Sequence, residues 1–260
     1  MCFFAALRND SLKIDAVPAD YTNFVHVFHR KVEVLLQQTG ASKYMFALDH
    51  KPEAKFAIYP EYKQTRKPME FNPKPKLLEM IKNWNCYTLE AKGYEADDVI
   101  ASYVAQYHDD EEIEVASTDK DMWQVLDHPN TKVYNFYSNS FVSTTHVEEA
   151  FKISEYKHIK LVKALFGDSG DNVKNVCLRQ GVHLLPVIKK SDGSVDDLIE
   201  KIKSETLPKK CVEVFNDNMD KIRVNYELVK LKYNCRIEMK KYPLFQPQHI
   251  GLTATHGGQL

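Results

Sequence analysis

The chain has 260 residues, of which 43% are hydrophobic and 11% aromatic, and a formal net charge of −1. That is enough for one large domain with a substantial core, and no run approaches the ~20 apolar residues of a membrane span. The opening MCFFAALRND has no basic n-region or cleavage site, and five cysteines without a CxxC pair point to free thiols, a reducing cytoplasm and no zinc.

In chain order, apolar residues at helical spacing predict a helix over 25–37, ended by Gly40. The run YMFAL, 44–48, reads as a buried strand stopping at Asp49. Residues 58–76 are basic and broken by Pro60, Pro68, Pro73 and Pro75, so an exposed loop or broken arch is expected there. A helix at 77–84 then leads to a strand at 86–89. Helix 96–107, strand 112–116 and a helix over 122–126 follow. Two further strands, 132–136 and 141–144, flank a turn centred on Asn139. From about 146 the pattern becomes helical, with segments at 147–151, 158–166, 182–189, 195–202 and 221–231. Alternating strands and helices predict an α/β core with a parallel-rich sheet and helices on both faces. The expected division is a core over 1–145, with the arch at about 60–76, a helical subdomain over 146–241 and an irregular tail over 242–260.

Acids gather where those strands end. Asp49 follows the strand at 44–48; Glu95, Asp97 and Asp98 open the helix at 96; Asp119 and Asp121 follow the strand at 112–116. Asp168 and Asp171 stand in Gly167-Asp168-Ser169-Gly170-Asp171-Asn172, repeating the three-residue spacing of Glu95 and Asp98. Ligands in α/β sheets collect at the carboxyl ends of strands. Eight converging carboxylates would repel one another unless divalent cations lay between them, and oxygen-only ligands suit Mg²⁺ or Mn²⁺. Two such ions about 4 Å apart can clamp a phosphodiester. Taken singly, Asp119 is also a good helix N-cap, and Asp168 and Asp171 fit an ordinary Gly/Asp turn. Setting the eight acids aside leaves a balance of +7, the sign that nucleic-acid phosphates require.

The ordered set Tyr62-Lys63-xx-Arg66, Glu95-Ala96-Asp97-Asp98, Ser117-Thr118-Asp119-Lys120-Asp121 and Gly167–Asn172 resembles the motifs of the flap-endonuclease and 5′-to-3′ exonuclease family. That family includes phage 5′ nucleases and the small nuclease domain of bacterial DNA polymerase I. The resemblance implies a PIN-like 5′ nuclease fold, and a hydrolase that cuts DNA, or RNA primers in RNA–DNA hybrids, near 5′ ends and flaps during replication. It implies that Asp49, Glu95, Asp97 and Asp98 hold one metal and that Asp119, Asp121, Asp168 and Asp171 serve a second. Lys63 and Arg66 would clamp the scissile phosphate, and Tyr62 would stack on an unpaired base. The chain is expected to act as a monomer, without a membrane or an organic cofactor.

Two departures from the family bear on this. Its opening strand ends in Asp-Gly, whereas MCFFAAL looks like the stretch after that strand, so the first strand and its acid are expected to be missing. Asp10 and Asp15 follow no apolar strand and read as loop residues. The family's Gly-rich helix–hairpin–helix corresponds to 173–181, where only Gly181 remains. That motif is therefore expected to be degenerate, with Lys174, Arg179 and, more weakly, Lys189 and Lys190 supplying charge. Two other readings stay open: a DNA-structure-binding module with weakened catalysis, and a PIN-like ribonuclease.

Overall fold

The computed structural model describes residues 2–6, 22–66, 74–82 and 84–242. Its frame is a seven-stranded sheet in the order β6-β5-β4-β1-β2-β3-β7. The strands are β1 Cys2–Ala6, β2 Lys43–Ala47, β3 Cys86–Glu90, β4 Ile113–Ala116, β5 Thr131–Asn135, β6 Ser140–Phe141 and β7 Glu238–Tyr242. The five inner strands run parallel, and the outer two are antiparallel to their neighbours.

The expectation of a missing first strand is corrected here. Cys2–Ala6 lies at the centre of the sheet, pairing Cys2 with both Lys43 and Ile113. The facing edges of β2 and β4 would otherwise carry unmatched N–H and C=O groups, and an apolar five-residue run is long enough to satisfy both. What this strand lacks is an acid at its end: the chain continues from Ala6 as Leu7-Arg8. Asp10 and Asp15 lie outside the described residues, as do the middle of the arch and the tail beyond Tyr242.

Alternate strand residues feed two cores. Met45, Ala47, Val115 and Val133 face one side, under α4 (Ala96–Tyr107) and α6 (Ile159–Phe166). Phe46, Ala116 and Tyr134 face the other, under α1 (Thr22–Thr39) and α3 (Lys74–Ile81). This two-residue alternation, with helices on both faces, is what a buried parallel sheet requires.

Other elements depart from the sequence reading. Helix α2 (Glu53–Ile58) was not anticipated, and residues 120–127 form a 3₁₀ helix. The helical part comprises α5 (Thr144–Phe151), α6, α7 (Leu185–Ile188), α8 (Val195–Ser204), α9 (Lys209–Asp217) and α10 (Met219–Val229). It ends by returning to the sheet as β7, so the stretch up to 241 is not wholly helical. Among the described residues no helix is long and apolar enough to cross a membrane. Cys86, Cys177, Cys211 and Cys235 are buried free thiols.

Candidate active site

Three of the four acidic segments sit at the carboxyl edge of the parallel strands, as expected. Asp49 lies two residues beyond β2, where its Oδ1 accepts the Ala96 amide at 2.8 Å and caps α4. Glu95 is the N-cap residue of α4 after β3, and Asp119 follows β4. The fourth segment reaches them by a tight turn after α6. Gly167 has φ +83°, and a Cβ there would lie 2.6 Å from both the Asn175 nitrogen and the Val173 oxygen. Only glycine fits that close approach.

A turn carrying Tyr62, Lys63 and Arg66 is fastened to this Gly-Asp segment. The Lys63 amide donates to the Asp171 carbonyl at 3.0 Å, the Asn172 side chain to the Glu61 carbonyl at 2.8 Å, and Arg66 Nε to the Gly170 carbonyl at 3.0 Å. The Arg66 guanidinium also pairs with Asp171 Oδ1. Lys63 itself adopts φ +57°, a left-handed conformation that costs of order 1–3 kcal/mol and persists where surrounding bonds impose it.

Behind this turn is an enclosed network. Lys55 Nζ donates to Glu95 Oε2 at 2.7 Å and lies 3.7 Å from Asp98 Oδ2, while Lys63 pairs with Glu95 Oε1. The Tyr62 hydroxyl lies 3.0 Å from Glu95 Oε2 and 2.8 Å from Asp171 Oδ2, so its one proton serves either. Burial by itself would raise the Glu95 carboxyl, but Lys55 and Lys63 hold it down at about 2. Burial, aided by the two carboxylates, pushes the Tyr62 phenol far up and keeps it protonated.

In front is an open cleft of about 430 Å³ lined by Arg66, Asp119, Asp121, Lys163, Asp168 and Asp171, among others. Asp119 Oδ1 caps the Asp121 amide at 2.9 Å, so it is an N-cap as well as a cleft residue. Lys163 bridges Asp121 and Asp168, 2.7 Å from Asp168 Oδ2. Burial raises the Asp121 carboxyl to about 6, with Lys163 opposing and Asp119 and Asp171 adding. For Asp168, burial is outweighed by Lys163 and the carboxyl is lowered.

The structure thus brings Asp119, Asp121, Asp168, Asp171 and Arg66 to one cleft and links Glu95 to it through Tyr62 and Lys63. Three expectations change. The acids are neutralised by Lys55, Lys63, Lys163 and Arg66, so their convergence does not depend on divalent ions alone. Asp98 is 1% exposed and turned inward, its Oδ1 accepting the Lys232 amide at 3.0 Å. Tyr62 is likewise 1% exposed, its ring against Phe56 at 5.8 Å, so no base can stack on it. Lys174 is tied to Asn172 at 2.7 Å; exposed Lys190 pairs with Glu205, and the Arg179 side chain lies outside the described residues. Sequence reasoning missed Lys55 and Lys163. Lys163 left one trace, a lysine in the last turn of a mostly apolar helix, five residues before Asp168.

The donor chemistry, carboxylate oxygens only, fits a hard divalent cation, and Lys163 shows that a positive charge is accommodated between Asp121 and Asp168. Among the described residues no three acids, histidines or cysteines stand together as a ready ion site, and the Lys163 ammonium occupies the position between Asp121 and Asp168.

A parallel-rich sheet covered by helices on both faces is the PIN-like fold that the sequence led one to expect. The chain belongs to the 5′-3′ exonuclease family: the family model described as 5′-3′ exonuclease, N-terminal resolvase-like domain, matches residues 2–153. A DNA polymerase I of Caldicellulosiruptor bescii is 30% identical over 215 residues, covering 78% of this chain and 23% of the polymerase. A flap endonuclease Xni of Psychromonas ingrahamii is 29% identical over 202 residues, covering 71% of this chain and 75% of the relative. A 5′-3′ exonuclease of Buchnera aphidicola is 28% identical, and the chain spans 66% of it. Among solved structures, T5 5′-exonuclease with bound divalent zinc ions superposes with a TM-score of 0.67 at 20% identity, covering 88% of each chain. The catalytic core of Rad2 in complex with DNA gives 0.55 at 15%, covering 94% of this chain and 83% of that one. These two likenesses concern the fold.

Proposed function

We propose that this chain hydrolyses DNA phosphodiesters near 5′ ends or 5′ flaps, with Mg²⁺ or Mn²⁺ at the acidic edge. One observation carries the reading: Asp119, Asp121, Asp168, Asp171 and Arg66 line a single open cleft, with Lys63 and Glu95 directly behind it. Asp119, Asp121, Asp168 and Asp171 would hold one ion, and Asp49, Glu95 and Asp97 the other. Asp98, with both oxygens engaged inward, is left to fasten α4 to Lys232. When bound, the ions supply Lewis acidity for attack on phosphorus and for departure of the leaving oxygen.

The chain's own groups do the remainder. Arg66, with a side chain 35% exposed, presents guanidinium donors to an incoming phosphate beside Asp171. Lys63 exchanges its Glu95 partner for a phosphate oxygen and clamps the reacting group, while Tyr62 holds Glu95 and Asp171 in register from within the core. Lys163, which pairs with Asp121 and Asp168, would turn to phosphate as well once those acids held a cation. The substrate class includes RNA–DNA hybrids at primer ends, and one copy of the chain suffices because every residue named comes from it.

A second reading has its own support. Strand β1 ends at Ala6 and the sequence continues as Leu7-Arg8 with no acid, and three lysines already neutralise the edge, both of which favour DNA binding with weakened cleavage. The deciding experiment incubates an end-labelled 5′-flap duplex with the protein, with and without Mg²⁺ or Mn²⁺. Released flap in the metal arm, lost in Asp168→Asn, supports the enzyme; flap DNA bound but never cut supports the binding module. Neither binding nor cleavage overturns both, and preferential cutting of single-stranded RNA would point to a PIN-like ribonuclease.

A further inference from the structure

The acidic cleft has a second wall. The turn joining β5 to β6 brings Asn135 and Tyr137 to its rim, while Phe136 lines an adjoining hollow of about 310 Å³ with Arg30, Lys31, Val34 and Gln38. The turn is built to hold an aromatic ring outward. Asn135 Oδ1 accepts the Tyr137 amide at 2.9 Å and the Ser138 amide at 3.4 Å, and Asn139 closes the turn at φ +50°. Tyr137 is 51% exposed, and its ring runs nearly parallel to that of Phe136, at 22° and 6.2 Å. Lys31 Nζ lies over both rings, 5.2 Å from the Phe136 centroid and 5.9 Å from the Tyr137 centroid. Of six large hydrophobic side chains exposed among the described residues, Val34 lines this hollow and Tyr137 the cleft.

An aromatic face beside a phosphate-handling cleft, with ammonium and guanidinium groups next to it, is the chemistry that receives an unpaired nucleotide: base on ring, phosphate on cation. We propose that Tyr137 is the base-stacking residue of this site, holding an unpaired nucleotide of the single strand that flanks the scissile phosphate, with Lys31 and Arg30 alongside its backbone. The assignment rests on the reading of the cleft as a DNA site and fills the part that buried Tyr62 cannot play. Exposed aromatic rings in a loop scatter by chance, but this one stands on a turn whose Tyr137 and Ser138 amides are both held by Asn135, and it shares its cavity with Asp119 and Arg66.

The test measures binding of the full chain to a blunt duplex and to the same duplex with a single-stranded 5′ overhang carrying 2-aminopurine, in EDTA so that cleavage plays no part. Tyr137→Ala is expected to weaken overhang binding roughly tenfold and to abolish the quenching of 2-aminopurine, with blunt-duplex binding and thermal melting unchanged. Tyr137→Phe keeps both signals. The proposal is overturned if Tyr137→Ala binds and quenches like the wild type, or if it loses blunt and overhang DNA equally. Failure of flap cleavage with quenching intact would sink the enzyme reading and leave the stacking assignment standing.

Discussion

The acidic edge is two regions with opposite characters. Around Glu95 the carboxylate is 6% exposed and met by Lys55, Lys63 and Tyr62, so its charge is offset in a closed network. Around Asp168 the acids line an open cleft, where Asp121 and Asp168 share the Lys163 ammonium and Asp171 is met by Arg66. The same sheet edge therefore offers a back wall that is enclosed and a front that is open to the cleft. Desolvated carboxylates remain ionised only where the opposing charge is close, and the two regions meet that need with Lys55 and Lys63 behind and with Lys163 and Arg66 in front.

The sharpest way to break this comparison is Lys163→Met. It leaves Asp121 and Asp168 facing each other without a counter-charge, and breaking a buried pair in this way costs about 3–5 kcal/mol. Urea unfolding should show that loss. Mg²⁺ should restore more stability to the variant than to the wild type, since an ion that binds only the folded state stabilises it by mass action. An unchanged midpoint would mean that Lys163 is incidental to the cleft.

Tyr62→Phe probes the back wall with a smaller effect. It removes the hydroxyl shared by Glu95 and Asp171 while keeping the ring in its pocket against Phe56. A hydrogen bond to a charged partner contributes roughly 1.5–3 kcal/mol, so the melting temperature should fall by several degrees. Binding of overhang DNA should hold, because this ring is not a stacking surface. Loss of overhang binding without loss of stability would reverse the roles given to Tyr62 and Tyr137.

Much of this site was legible in the sequence because its acids follow strands whose apolar runs mark the sheet. Asp49, Glu95 and Asp119 are placed by strand ends, and Gly167 by a backbone position that tolerates nothing else. Two of the cations, Lys55 and Lys163, were not legible. Lys55 and Lys163 reach the acids across 40 and 42 residues of sequence, by packing of α2 and α6 that no local period announces. The same holds for Asp98 and Tyr62, whose inward orientation depends on Lys232 and on the core around Leu228 and Val229. Strand β1 was misread because an apolar pentapeptide with no following acid does not match the family's opening. Its place in the sheet is set by its backbone pairing with β2 and β4.

The finest test uses acid titration, where the two regions should respond with opposite sign. Glu95 is held at about 2 against an ordinary 4.5, so its folded-state pKa is depressed. Its contribution is fully present above about pH 4.5 and is lost as pH falls toward 2. Asp121 is raised to about 6 from 3.8, so folding favours its protonated form. Stability tied to Asp121 is greatest below about pH 4 and is lost as pH rises through 6. A carboxyl that titrates one pH unit away from its unfolded-state position changes stability by about 1.4 kcal/mol. Melting curves between pH 2 and 7 in EDTA should therefore show Glu95→Gln flattening the acid limb and Asp121→Asn flattening the limb between pH 4 and 6. If both variants flatten the same limb, the front and the back of the edge are one electrostatic unit and the division drawn between them fails.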